Sequence, residues 1–249
     1  MTFKLDHIVI AVADLDQAVA DYRRLGFTVY PGGVHHGGVS HNALVIFDDG
    51  CYFELIAWLK PAPDNRWHEV LKKAGEGFVD YALLPQDTER DAAAARSRGL
   101  SIEGPIPGGR LRLDGKRLDW QIVRPHTTDL PFWCGDVTPR VLRVPDGDIR
   151  THPNGARGVE RLRIVVKDVA VSATRYIALL GPHSVSAGGA VATMQIGPSI
   201  VEVAEPWDAL SLHLLETRGE GVASLALAGD DVKTLDPALT HGAALSMTL

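Results

Sequence analysis

The sequence predicts an α+β chain built from tandem βαβββ units. Three segments share one pattern, in which an apolar strand is followed by an aspartate, a helical stretch and a glycine. The aspartate and the glycine lie twelve residues apart in 14–26 and 87–99, and thirteen residues apart in 168–181. Aspartate is typical of a helix N-cap and glycine of the position after the last turn, so each pair delimits one helix. A repeat of this kind indicates the architecture of the whole chain.

The first unit shows the pattern in full. β-Branched and apolar residues precede Asp14, and apolar residues at helical spacing follow it. Asp48, Asp49 and Gly50 separate two further apolar runs, which indicates a hairpin. The predicted elements are, in order, a strand over 4–12, a helix over 15–25, a strand over 27–30, a glycine-rich loop over 31–38, and strands over 42–47 and 51–58.

The later units repeat these elements, and the fourth is expected to be truncated. Pro237 limits its helix, because proline lacks the amide hydrogen that a helix interior needs. The predicted first strands are 78–84, 159–166 and 222–228, and the predicted last strands of units two and three are 119–123 and 200–204. The expected organisation is an N-terminal half over 1–125, a proline-rich connector over 126–157 and a C-terminal half over 158–249.

Composition excludes several classes of function. The 249 residues carry a net charge of −6, so there is no excess positive charge to neutralise phosphates, and nucleic acid is not an expected partner. There is no apolar run long enough to span a bilayer and no apolar leader, so no membrane association is expected and a cytoplasmic protein is predicted. Cys51 and Cys134 form no CxxC pair and are expected to serve in packing.

A set of short motifs adds to the repeat. They are D-H-I-V-I-A-V over 6–12, D-L-D-x-A over 14–18, L-G-F over 25–27, G-G-x-H over 32–35, H-N-A-L over 41–44, Y-F-E-L-I over 52–56 and H-P-N-G-A over 152–156. With the repeat, this set resembles the glyoxalase-like group of the glyoxalase, bleomycin-resistance and extradiol-dioxygenase superfamily, the vicinal oxygen chelate proteins. The resemblance implies paired, cup-shaped mixed sheets with helices on the outer face, wrapped around a small-molecule site.

The resemblance also implies where metal ligands would lie, which is near the start of the first strand and on the last strand of each unit. Those positions hold His7 and Glu54 in unit one, and Asp80 and Gln121 in unit two. Such donors suit a divalent ion such as Zn, Fe(II), Mn or Ni. The alternative is a structural hydrogen bond between His7 and Glu54, or a solvated Glu54, and both interpretations stay open at this point.

Polar residues around the glycine-rich loop predict the substrate pocket. His35, His41 and Asn42 from this region, together with Trp120 of unit two, are the candidates for its lining. An imidazole suits proton transfer near neutral pH, so His41 and Glu54 are the predicted catalytic residues. For His35 the competing interpretation is an exposed loop histidine without a role.

The second half offers no comparable pair of donors. Arg161 and Glu202 occupy the matching strands, which predicts a buried ion pair there and no metal site. The aromatic pair Phe132 and Trp133 in the connector is expected to pack over a sheet or to cover a pocket mouth.

Three functions are consistent with the sequence. The leading hypothesis is a metal-dependent enzyme of lyase or isomerase type, acting on a small oxygen-rich molecule. The alternative is a metal-free protein of the bleomycin-resistance type, which binds or sequesters a planar compound against Trp58, Trp120 and Trp133. A third is a structural relic whose site has decayed. A small molecule is thus the expected partner, and the protein is expected to be a monomer or a homodimer.

Overall fold

The computed structural model describes residues 3–112 and 114–249 and confirms the α+β fold of paired mixed sheets with helices outside. The strands are β1 Lys4–Ala11, β2 Tyr30–His35, β3 Ser40–Ile46, β4 Tyr52–Trp58, β5 Gly77–Leu84, β6 Ile102–Leu111, β7 Arg117–Pro125, β8 Phe132–Asp136, β9 Gly158–Val165, β10 Ser186–Gly188, β11 Val191–Ile196, β12 Ser199–Ala204, β13 Gly221–Ala228, β14 Lys233–Thr234 and β15 Leu245–Thr248. The helices are α1 Leu15–Arg24, α2 Arg66–Ala74, α3 Thr88–Ser97, α4 Arg140–Arg143, α5 Val169–Leu180 and α6 Ala209–Arg218.

The repeated helices begin where their aspartates predict. The side chains of Asp14, Asp87 and Asp168 each accept a hydrogen bond from the backbone amide three residues later. Each bond satisfies an amide that has no partner inside the helix, which explains why the first turn starts there. Helices α2 and α6 were not predicted, although Asn65 and Asp208 cap them in the same way.

The first half of the chain forms a closed eight-stranded barrel in the order β1-β4-β3-β2-β6-β7-β8-β5. Strand β1 runs parallel to β4, and β5 runs parallel to β8, while the other neighbours are antiparallel. The two units are therefore equivalent halves of one barrel. Closure leaves an interior surrounded by strands on all sides, and this interior is where a ligand can be enclosed.

The predicted end of the first half at residue 125 is corrected by the structure. The eighth barrel strand, β8, comes from the segment expected to be a connector, and it pairs with both β5 and β7. The strand predicted as the last of unit two, over 119–123, is the penultimate one, within β7. The surrounding prolines make 126–157 resemble a linker, but the apolar run at 132–134 fills the barrel position parallel to β5.

The glycine-rich segment predicted as a loop is largely a strand. Residues 30–35 form β2, which pairs with β3 on one side and β6 on the other. Backbone hydrogen bonds are enough to hold it, so the absence of side chains at Gly32 and Gly33 does not prevent pairing. At Gly32, a Cβ atom would lie 1.9 Å from the Asn42 side-chain oxygen, so only glycine leaves room for that side chain.

The second half forms an open seven-stranded sheet in the order β10-β11-β12-β9-β13-β15-β14. In its last unit, the described residues between β14 and β15 form turns, as Pro237 predicts. One continuous cluster of buried apolar side chains joins the outer face of the barrel to this sheet and to the helices. Among the described residues, none of the helices has both the length and the apolar character needed to cross a membrane.

Candidate functional site

The barrel encloses a cavity of about 610 Å³, the size of a pocket for a small molecule. Its lining combines aromatic and apolar residues with charged or ionisable ones. The aromatic wall residues are Tyr52, Trp58, Trp67, Trp120 and Phe132, and the charged or ionisable ones are His7, His35, His36, Glu54, Asp64, Arg110, Arg124 and Arg143.

Glu54 is the buried carboxylate of this cavity. It lies on β4 opposite Val9 of β1, and Asn42 Nδ2 donates a hydrogen bond to its Oε1 at 2.7 Å. The Nε2 atoms of His7 and His35 lie 3.5 Å from Oε2 and 3.4 Å from Oε1. Burial by itself raises the pKa of Glu54, but the hydrogen bonds and the charges of the two imidazoles lower that pKa to about 2. The carboxylate is therefore ionised at neutral pH.

His7 is held in one orientation from behind. The Oδ2 atom of Asp6 lies 2.7 Å from His7 Nδ1, so Nδ1 carries the proton and donates it to the carboxylate. The other ring nitrogen, Nε2, faces Glu54 and the cavity. The Tyr52 ring stacks on the imidazole with centroids 4.7 Å apart and prevents it from rotating. An aspartate that orients a histidine in this way is common in catalytic and metal sites.

Asp6 is itself fixed by two arginines of helix α4. Arg140 donates to Asp6 Oδ1 at 2.6 Å, and Arg143 donates to Oδ2 at 2.8 Å. Asp136 on β8 accepts from the same two arginines, at 3.0 Å and 2.6 Å. Burial raises the pKa of Asp6, but the charges of Arg143 and Arg140 and the hydrogen bond from His7 hold it well below its usual range. Two carboxylates and two guanidiniums thus form a balanced buried network behind His7.

Tyr52 brings a hydroxyl group into the cavity. Arg143 Nη1 donates to this hydroxyl oxygen at 2.8 Å. Burial raises the pKa of Tyr52 well above its usual range, so the group keeps its proton. Among the described residues, no acceptor for that proton is found, so Tyr52 can donate it to a bound molecule.

The family follows from the sequence match. A model of the glyoxalase-like domain family matches residues 5–180, which is well over half of the chain and spans the whole barrel. The chain belongs to the glyoxalase-like domain family. Comparison with curated proteins finds no significant match.

Solved structures share the fold of this glyoxalase-like protein at low sequence identity. A hypothetical protein from Staphylococcus aureus is 13% identical with a TM-score of 0.76, and the match covers 99% of each chain. A mutant of 4-hydroxymandelate synthase from Streptomyces coelicolor is 18% identical with a TM-score of 0.64, covering 92% of this chain and 72% of that one. At such identities the likeness shows a common fold.

The fold of this glyoxalase-like protein brings five of the predicted site residues together. His7, His35, Asn42, Glu54 and Trp120 all line the barrel cavity. His35 is not an exposed loop histidine, because it ends strand β2, and its Nδ1 atom lies 2.9 Å from the Ser40 hydroxyl. The structure places these five side chains around one cavity, and their functional roles stay predictions.

Three other predicted site residues lie elsewhere. Gln121 is on the outer face of β7, because Trp120 and Ile122 on either side point inward, and its amide lies 3.4 Å from Glu89 on α3. His41 likewise alternates with the cavity residues Ser40 and Asn42, so it does not line the cavity. A strand directs neighbouring side chains to opposite faces. The predicted positions of Gln121 and His41 are therefore each wrong by one residue, because their neighbours Trp120 and Asn42 line the cavity instead.

Asp80 is buried, but its carboxylate is already engaged. Arg66 Nη2 and Trp67 Nε1 of helix α2 both donate to its Oδ2, the latter at 2.9 Å. Burial raises the pKa of Asp80, and the nearby charge of Arg66 offsets part of that rise. The residue anchors α2 beside the cavity, and it is not among the cavity-lining residues.

The predicted ligand set His7, Glu54, Asp80 and Gln121 therefore does not fit a metal ion. Gln121 faces outward, and Asp80 is bound to α2. No group of three or more histidine, cysteine, aspartate or glutamate side chains suited to hold a metal occurs within 3–112 and 114–249. Of the four predicted ligands, only His7 and Glu54 lie together, and the second imidazole beside Glu54 is that of His35.

Sequence reasoning missed several residues of this site. Asp6 precedes His7 in the D-H motif, so its position offered a signal, but strand alternation directs neighbouring residues apart and concealed their contact. Arg143 and Arg110 gave no signal, because they reach the cavity from α4 and β6 through tertiary packing alone. Trp133, expected against the ligand, is instead fully buried outside the barrel interior and packs on Phe3 at 4.9 Å.

The second half contains the predicted ion pair of Arg161 and Glu202, but the pair is only partly buried, with the Arg161 side chain 37% exposed. Arg161 Nη1 and Arg163 Nε both contact Glu202, the latter at 3.2 Å. The guanidinium of Arg163 also lies 3.8 Å from the ring centre of Trp207. These contacts satisfy Glu202 within the sheet.

Proposed function

We propose that this glyoxalase-like protein is an enzyme of lyase or isomerase type that moves a proton on a small oxygen-rich molecule bound in the barrel cavity. One observation carries the proposal. Asp6 holds His7 so that Nε2 faces the ionised Glu54 across 3.5 Å, inside a cavity that a small molecule can fill. A fixed imidazole with a free lone pair in a sheltered cavity is the requirement for general base catalysis.

His7 is the proton acceptor in this scheme. The proton leaves a carbon next to a carbonyl and goes to His7 Nε2, while the electron pair of the broken C–H bond moves toward the carbonyl oxygen. The imidazolium that forms is stabilised by Asp6 at 2.7 Å on Nδ1 and by Glu54 on the other side. Glu54, with a pKa of about 2, is too weak a base for this role at neutral pH and acts as a fixed negative charge.

Tyr52 is the group that stabilises the developing oxyanion. Its hydroxyl is protonated and oriented by the hydrogen bond from Arg143 at 2.8 Å, which also makes it a stronger donor. A preorganised donor at the place where negative charge develops accelerates such a reaction by about 10²- to 10³-fold. Return of the proton from His7 to a neighbouring atom completes an isomerisation, and loss of a leaving group completes an elimination.

A divalent ion such as Zn, Fe(II), Mn or Ni is not required for any of these steps. His7 and Glu54 nevertheless offer one nitrogen and one oxygen donor, so metal content belongs in the same test. The protein is purified without a histidine tag and analysed for metal alongside His7→Ala and Glu54→Ala. If the unaltered protein contains stoichiometric metal and both variants lose it, His7 is a metal ligand and not the base.

Proton exchange tests the proposal directly. A panel of 2-oxo acids, 2-hydroxy acids and hydroxyketones is incubated in D₂O, and ¹H NMR follows the loss of C–H signals. We expect exchange with at least one compound, reduced about 10²- to 10⁴-fold in His7→Gln. His213→Gln, at an exposed position of α6, is the matched control and keeps full exchange. If every compound exchanges no faster than without protein, the proposal fails.

A metal-free binding function is the second candidate, and the aromatic cavity wall supports it. Trp58, Trp67 and Trp120 line the cavity, so a planar ligand would alter their fluorescence. Tryptophan quenching by an aromatic compound, lost in Trp120→Leu, with no proton exchange on any substrate, would favour binding or sequestration. Because the chain closes its own barrel, we propose that a monomer is sufficient for either function.

A further inference from the structure

Arg110 is a buried guanidinium without a charged partner. Its exposed fraction is 5%, and it lies on β6 among the cavity-lining residues. Among the described residues, the only acceptor found for its side chain is the carbonyl oxygen of Gly32, and no carboxylate forms an ion pair with it. A guanidinium has five N–H donors, so most of them are left for a group in the cavity.

The charged groups around His7 and Glu54 have partners of their own. Asp6 and Asp136 share Arg140 and Arg143, two negative groups against two positive ones. Glu54 accepts a hydrogen bond from Asn42 and lies beside the imidazoles of His7 and His35. Among the described residues, Arg110 is the buried cation of the cavity lining that has no ion pair, whereas Arg124 in the same lining is exposed. Burial lowers the pKa of Arg110, and the negative charge of Glu54 offsets part of that fall. A buried cation without an ion pair is costly, so binding of an anion at Arg110 would be favourable.

Arg110 is placed next to the reactive groups. It lies directly opposite His35 in the β2–β6 ladder, and Nε2 of His35 is 3.4 Å from Glu54. Facing residues on neighbouring strands have Cβ atoms about 5 Å apart. An anion bound at Arg110 would therefore sit within the length of one small molecule from Glu54 and His7.

We propose that Arg110 binds the carboxylate of the substrate, and that the substrate is a small carboxylic acid with a flat apolar body. Two parallel N–H donors of a guanidinium match the two oxygens of a carboxylate. The walls formed by Trp58, Trp120 and Phe132 suit an apolar body. The nearby negative charge of Glu54 favours a monoanion over a doubly charged phosphate. This inference rests on the proposed function for its reaction, but the binding it describes is measured independently.

Phenylacetate and phenylacetamide are suitable probes, because they have nearly the same shape and differ in charge. Their dissociation constants are measured by calorimetry and by tryptophan fluorescence. We expect the unaltered protein to bind phenylacetate about 10- to 100-fold more tightly than phenylacetamide, since a charged hydrogen-bonded pair contributes about 1.5–3 kcal/mol. Arg110→Gln abolishes this preference and leaves phenylacetamide binding within about threefold, which also shows that the variant is folded.

Further variants separate charge from position. Arg110→Lys keeps the charge but loses the paired donors, and we expect an intermediate affinity for phenylacetate. Glu54→Gln removes a neighbouring negative charge and should tighten phenylacetate binding. Arg117→Gln, at a side chain 64% exposed and paired with Asp119, is the matched surface control and should change neither probe.

Several results would overturn the inference: no binding of phenylacetate, equal binding of both probes to the unaltered protein, or a preference that survives in Arg110→Gln. Binding of inorganic phosphate is measured in parallel, and tighter binding of phosphate than of phenylacetate would also refute the proposal that Arg110 binds a carboxylate. Failure of proton exchange with an intact carboxylate preference would refute the proposed enzyme and retain the binding site, so the two failures are distinguishable.

Discussion

Replacing Asp6 by asparagine tests the buried network behind His7. Asp6 is completely buried and contacts Arg140, Arg143 and His7 within 2.8 Å. Removing one partner of a buried ion pair costs about 3–5 kcal/mol, because the opposite charge stays buried and unmatched. Asparagine keeps one acceptor oxygen and Asp136 still contacts both arginines, so we expect the low end, about 3 kcal/mol. For a chain of this length that lowers Tm by about 6–12 °C.

The stabilisation by Asp6 should depend on pH. The folded-state pKa of Asp6 lies well below the ordinary value, so its contribution is complete above that ordinary value and is lost as pH falls toward the folded-state pKa. Calorimetry of both proteins from about pH 8 down to pH 3 should therefore give a constant difference in Tm near neutrality. The difference should narrow below about pH 4, where the carboxylate begins to be protonated in the unfolded chain.

A matched surface variant shows whether burial is the cause. Asp230 pairs with Arg157, but its side chain is 69% exposed, and Asp230→Asn should change stability by less than about 1 kcal/mol. The reasoning would be refuted if Asp6→Asn and Asp230→Asn had equal effects, or if the effect of Asp6→Asn grew as pH fell. Proton exchange should also fall in Asp6→Asn, because His7 loses the charge that stabilises its imidazolium.

Three further predictions concern the strands that form the cavity. Gly32→Ala should lower the free energy of unfolding by about 1–3 kcal/mol, because the new Cβ would lie 1.9 Å from the Asn42 side-chain oxygen and 2.7 Å from the Asn42 backbone oxygen. A denaturant titration measures this change, and an unchanged midpoint would contradict the packing. His41→Ala and Gln121→Ala should leave metal content and ligand quenching within error of the unaltered protein, since neither side chain lines the cavity; a loss in either would return it to the site. Glu54→Gln should lower the free energy of unfolding by up to about 3 kcal/mol at neutral pH. The free energies of unfolding of the two proteins should converge as pH falls from about 5 toward 2, because the pKa of Glu54 is lowered to about 2. A difference that widens in acid would be inconsistent with an ionised Glu54.

Much of the fold could be predicted from local pattern. The helices after Asp14, Asp87 and Asp168 and the first strands of all four units lie where capping and periodicity predict them. Local energetics decide these elements, since a cap satisfies amides within one turn and an apolar strand needs only burial. Strands β2 and β8 were missed because glycines and prolines conceal them, and their pairing comes from distant strands.

By itself, the sequence determined the repeat, the family likeness and the two strands that carry His7 and Glu54. Only the tertiary structure decided what surrounds that pair. A shift of one residue along a strand exchanges cavity and exterior, so Trp120 lines the cavity and Gln121 does not. Arg110 and Arg143 join the site through barrel closure and the packing of α4. The contact between Arg143 and Asp6 spans 137 positions in the chain and leaves no local pattern. The charge balance of the cavity, with Arg110 unmatched, is therefore a property of the folded protein.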